Sequence, residues 1–153
     1  MNILALALLG AVMVGEGSGP EQQGTPTQAA PPSRTEQVPL LDTYWKLVAL
    51  ADLKPTDQPG SREPHVVFHT AGGAVTGSDG CNSIRATYTL DGESLKIGVL
   101  MGTLMACPVP DRLDRRFREA LVIARSWRIS DGELTLLDAD GTVLARFDPR
   151  LDR

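Results

Sequence analysis

The sequence predicts an α+β domain in which a curled antiparallel sheet of about eight short strands packs on one helix. Three observations carry that expectation. Beyond residue 40 the chain breaks into short runs with period-two alternation, several of them separated by Asp-Gly pairs. A single stretch, residues 112–126, places apolar residues at helical spacing. The two cysteines, Cys81 and Cys107, each sit at the end of a strand-like run.

The totals suit that picture. A chain of 153 residues holds one domain of ordinary size plus a tail. A net charge of −4 does not favour bulk attraction to nucleic acid, so no nucleic-acid partner is expected. Hydrophobic residues make up 42% but aromatic ones only 5%, which implies a small core with few large anchors.

Residues 3–14 form an apolar run of Leu, Ala, Val and Met. A bilayer-spanning helix needs about 20 residues, so this run suits the apolar region of a secretory signal better. Gly15 and Gly17 supply small residues for cleavage, and residues 1–17 read as a signal-like segment. A plain terminal helix is the alternative. The run also resembles a bacterial lipoprotein signal, whose cleavage box ends in a small residue followed by cysteine. Glu16 stands at that place, so the sequence has no lipidation cysteine there. Residues 18–39 are rich in Pro, Gln, Ser and Thr and lack periodicity, which predicts a disordered tether. The expected location is exported, periplasmic or associated with the cell envelope.

A folded domain over residues 40–149 follows, with residues 150–153 as a tail. Residues 43–50 alternate, with Trp45, Leu47 and Ala49 on one face. Residues 52–64 hold three prolines and a glycine and read as a loop. Residues 66–69 form a second strand, and Ala71-Gly72-Gly73 turns the chain into a third at residues 74–78. After Asp79-Gly80, the residues Ile84, Ala86, Tyr88 and Leu90 share one face of a fourth. Asp91-Gly92 marks a hairpin, and Leu95 and Ile97 continue the inward face. Residues 99–107 read as extended or irregular. Pro108 and Pro110 end them, and Asp111 is the candidate N-cap for the helix. Leu113, Phe117, Ala120, Leu121 and Ala124 share its inward face, and Arg112, Arg115 and Arg118 are expected in solvent. Asp131-Gly132 and Asp140-Gly141 then mark two more hairpins.

Several constellations have an ordinary reading beside a functional one. His65 and His69 would share a zinc-binding face on a helix, but on a strand their side chains stand about 13 Å apart, too far for one zinc. No metal and no cofactor are therefore expected. Asp79 to Asn82 offers too few carboxylates for calcium, and Asp79 and Asn82 are read as bonding neighbouring backbone to shape the turn. Arg112, Arg115, Arg116, Arg118, Arg125 and Arg128 form a basic run diluted by Asp111, Asp114 and Glu119. A solvated helix face explains them, and peripheral contact with an anionic membrane surface is the functional alternative. Nothing partners either cysteine as a nucleophile.

The residues now assembled resemble the META/HslJ domain family of bacterial envelope proteins. The resemblance rests on Trp45-Lys46-Leu47, on Gly77-Ser78-Asp79-Gly80-Cys81-Asn82 and on Thr103-Leu104-Met105-Ala106-Cys107. Trp127, Ile129, Gly132, Leu134, Leu136, Gly141 and Phe147 complete it. It implies a β-rich α+β domain, often carried on a lipoprotein or secreted chain. It also implies a link to heat-inducible envelope stress and novobiocin tolerance, and a likeness in fold to secretin pilot lipoproteins. No catalytic residues come with it, and no enzyme is expected.

Cys81 and Cys107 remain either a disulfide or two buried thiols. Export favours the disulfide. A hairpin returns its second strand beside its first, so residues beyond both ends meet at one end of the sheet. That places the two Cα atoms within about 7 Å, close enough to bridge. Two functions stay open. One is a non-enzymatic envelope module that binds an envelope protein or maintains the envelope under stress. The other is a carrier whose curled sheet holds an apolar small molecule such as a lipid.

Overall fold

The computed structural model describes residues 37–55, 61–107 and 112–151. The signal-like segment at residues 1–17 and residues 18–36 of the expected tether lie outside them. In chain order the elements are β1 (Tyr44–Leu50), β2 (His65–Phe68), β3 (Ala74–Ser78), β4 (Ser83–Asp91), β5 (Ser94–Ile97) and β6 (Met101–Gly102). The helix α1 (Leu113–Ile123) comes next, followed by β7 (Ser126–Ser130), β8 (Glu133–Leu137) and β9 (Val143–Arg150). The nine strands form one sheet in the order β3-β2-β1-β9-β8-β7-β5-β4-β6, and each of these pairings is antiparallel. The strand additional to the expected eight is β6, which lies within the stretch whose sequence reads as extended or irregular.

β3 also pairs with β4, so the sheet closes on itself. On its other side β4 pairs first with β5, through residues 88–91, and then with β6, through Ile84 and Arg85. The ring is narrowest between β5 and β7, which are paired only at Ser94 and Ser126. Asp131 and Gly132 both take positive φ (53° and 82°), the geometry of a tight hairpin whose twist matches its strands.

The helix packs against β1, β5 and β9. Its buried residues are Leu113, Phe117, Ala120 and Leu121, as the periodicity predicts. The Phe117 ring lies 5.9 Å from that of Phe147 on β9, and both are fully buried with Trp45 and Phe68. The helix's own side chains therefore fill the inside of the curled sheet.

Three details differ from the sequence reading. The alternation in β1 predicts Ala49 inward, but the register against β9 slips between Leu47 and Ala49 and Leu50 is buried instead. A bulge of this kind exchanges the faces of every later residue in the strand. The helix ends at Ile123, not residue 126. The Arg125 N–H donates to the Leu137 carbonyl and the Arg125 carbonyl accepts from Leu95, so strand pairing takes over the backbone groups another turn would use. Asp111 lies outside the described residues. Arg112 holds the N-cap position in a left-handed conformation, with no side-chain cap.

Candidate functional site

The residues of interest gather where the β3–β4 connection meets the segment after β6. Asp79 is fully buried in that connection. Its Oδ1 accepts the backbone N–H groups of Cys81 (3.1 Å) and Asn82 (2.6 Å), which fixes the turn as the sequence predicts. Its Oδ2 accepts from Arg118 Nε at 2.6 Å, a reach from the helix to the turn.

Asn82 does something the sequence reading does not anticipate. Its side chain turns away from its own turn and holds the segment opposite. Oδ1 accepts from Thr103 Oγ1 and from the Met105 N–H, both at 2.8 Å, and Nδ2 donates to Cys107 Sγ at 3.3 Å. Thr103 answers with backbone and side chain: its N–H donates to the Ser83 carbonyl and its Oγ1 accepts from the Ser83 N–H. Arg118 Nη2 donates to the Thr103 carbonyl at 3.2 Å. A side chain at Gly102 would put its Cβ 2.5 Å from the Ser83 carbonyl oxygen and 2.8 Å from Arg118 Nη2, so only glycine lets the segment lie this close.

Cys81 and Cys107 are joined in a disulfide, with Cα atoms 5.9 Å apart, inside the limit the hairpin argument sets. The bond closes the clamp at the far end of the segment. Gly77 lies in β3, where a Cβ would run into the His65 carbonyl, and Gly80 turns the chain at a φ of 99°. Trp45 stands apart from this cluster. It is a core residue, and its Nε1 donates to the Leu40 carbonyl at 2.9 Å.

Arg118 is the correction of most consequence. The sequence places it in solvent with Arg112 and Arg115, yet its side chain is only 24% exposed and it carries the charge opposite Asp79. The partner lies 39 residues away in sequence, so no local pattern announces the pair. Arg112 and Arg115 are exposed, as expected. Arg116 pairs with Asp52, and Arg125 donates to the carbonyls of Val122 and Ala124 at the end of the helix. The histidines go separate ways. The His65 ring stacks on Tyr44, and His69 Nε2 bonds Thr76 Oγ1.

The clamp holds backbone but leaves side chains outside. Leu104 is 92% exposed, and Met101, Met105 and Val99 are exposed with it. Leu104, Met105 and Ala106 line an open cleft of about 390 Å³ together with Asn82, Asp114, Arg115 and Arg118. The segment is thus held by three hydrogen bonds at its backbone and three more at the Thr103 hydroxyl and Cys107 sulfur, yet it presents apolar side chains to water.

A ring-closed antiparallel sheet filled by one helix, with a disulfide-clamped segment beside it, defines a small β-rich α+β domain. The chain belongs to the META domain family, which matches residues 38–150. Among solved structures it is similar to a protein from Burkholderia xenovorans studied by NMR. The identity there is 28% and the TM-score 0.59, over 74% of this chain and 85% of that one. A second NMR structure is 23% identical with a TM-score of 0.54, covering 69% of this chain and 87% of the other. A crystal structure of a DUF4847 family protein from Bacteroides vulgatus ATCC 8482 is 17% identical with a TM-score of 0.54, over 74% and 96%. The last two are likenesses of fold alone. No curated protein matches the chain.

Proposed function

We propose that the chain is a non-enzymatic, exported module of the cell envelope that works by surface contact and supports the envelope under stress. The observation that carries this reading is the division of apolar side chains. Phe117 and Leu121 fill the inside of the sheet, while Val99, Met101, Leu104 and Met105 are held outside it. A carrier needs the reverse, an unfilled apolar interior. Membership of an envelope-related family supports the location, and so does the disulfide, since such bonds persist in oxidising compartments.

The test is native mass spectrometry of protein recovered from the envelope of an expressing bacterium. The expected species is the chain cleaved near Gly17, with one disulfide and no adduct. A stoichiometric apolar adduct would overturn this reading in favour of the carrier. Full-length protein retained in the cytosol with its Met1 would overturn the export.

A further inference from the structure

We propose that the clamped segment and the arginines around it form a docking surface for an anionic phospholipid bilayer. The inference rests on the surface-contact reading above and names the partner of that surface. Met101 and Arg85 are register partners on β6 and β4, so their side chains stand beside one another on one face, and both are exposed. Arg115 lines the cleft with Leu104 and Met105. Arg62 reaches the same end of the sheet, donating from Nη1 to Ser83 Oγ, next to the backbone that holds Thr103. Against these three cations the cleft offers Asp114, while Asp79 is already matched by Arg118.

A chain with net charge −4 thus concentrates positive charge around its exposed apolar side chains. That pairing is complementary to a bilayer surface, where apolar tips enter the acyl boundary and guanidinium groups meet phosphates. The side chains of Arg85 and Arg115 have no ion-pair or hydrogen-bond partner among the described residues, so both guanidinium groups are available for that contact. A protein partner would need a matching acidic, apolar patch, which nothing in this structure specifies.

The experiment uses the full chain and a reporter at one position, because the apolar run at residues 3–14 is present in every variant and would dominate total binding. Leu104→Trp is compared with Ala139→Trp, which lies on the exposed β8–β9 turn. Each is mixed with vesicles of brominated phosphatidylglycerol or brominated phosphatidylcholine. The expected result is a blue shift and quenching for Leu104→Trp with phosphatidylglycerol alone, and neither for Ala139→Trp. Adding Arg85→Glu and Arg115→Glu to the Leu104→Trp reporter should raise the lipid concentration for half-quenching about tenfold or more. Equal quenching at the two positions, or equal quenching by the two lipids, would overturn the proposal. So would an unquenched Leu104→Trp. If a photo-crosslinker at position 104 then captured an envelope protein, lipid docking would fall while the surface-contact reading stood. If it captured nothing, both would fall.

Discussion

At the scale of single residues, Arg118 and Arg115 make an informative pair, one turn apart on the same helix. Asp79 is fully buried, so removing the guanidinium that faces it leaves a buried charge with only backbone donors. Arg118→Ala should cost about 3 kcal/mol in a denaturant melt. Arg115→Ala should stay within about 0.5 kcal/mol, since its side chain is in solvent. Equal costs would mean that the ion pair contributes nothing to the turn. Part of this was legible in the sequence and part was not. Asp79 before a glycine is a turn signal that any strand pattern would make visible, because the side chain serves its own backbone. The choice among six arginines of the one that reaches it depends on how α1 lies across the sheet, and no short-range pattern encodes that.

At the scale of elements, hydrophobic periodicity carries most of the fold, and the places where it misleads have a common cause. Phe117 and Leu121 fall on the inward face because burial repeats with the helix, and Phe117→Ala should cost about 3–5 kcal/mol. Ala49 and the last turn of the helix go the other way because a neighbouring strand sets the register. One bulge moves Leu50 inward, and pairing of Arg125 with Leu137 ends α1 early. A charged cluster ties the first and last strands together as well. Glu63 accepts from Tyr44 of β1 and meets Lys46 Nζ of β1 at 3.0 Å and Arg150 Nη2 of β9 at 2.9 Å. Partial burial pushes its pKa up, but the hydrogen bonds from Lys46 and Tyr44 and the charges of Lys46 and Arg150 outweigh that, and the net direction is down. A carboxyl whose folded pKa is depressed contributes stability above its unfolded value and loses it as pH falls through the folded one. Melts of the native chain should therefore weaken as pH drops through and below the ordinary glutamate range. Glu63→Gln should flatten that acid limb, and an unchanged limb would show that other carboxylates produce it.

At the scale of the whole molecule, the disulfide joins residues 26 apart in sequence. Cross-linking a loop of that length stabilises by about 3.5 kcal/mol in the chain-entropy account. The Cys81→Ser, Cys107→Ser double variant should lose roughly that amount under oxidising conditions and nothing further on adding reductant. A loss in the variant well below that figure would mean the Asn82 and Arg118 contacts already hold the segment in the unbridged chain.

The pairing of β1 with β9 reaches further than stability. Leu47 lies opposite Phe147, so the first strand of the domain, paired on one side with β2, gains its second neighbour only when β9 is present. Contacts so distant in sequence form slowly, because the intervening chain must be ordered before they repay its entropy. A nascent chain that stops before Val143 lacks β9 altogether and leaves β1 and β8 with open edges. Such a chain, truncated after Asp140, should show no cooperative melt. The ring architecture thus acts as a latch: the sheet closes on itself only once residues 143–150 are there to bridge β1 and β8.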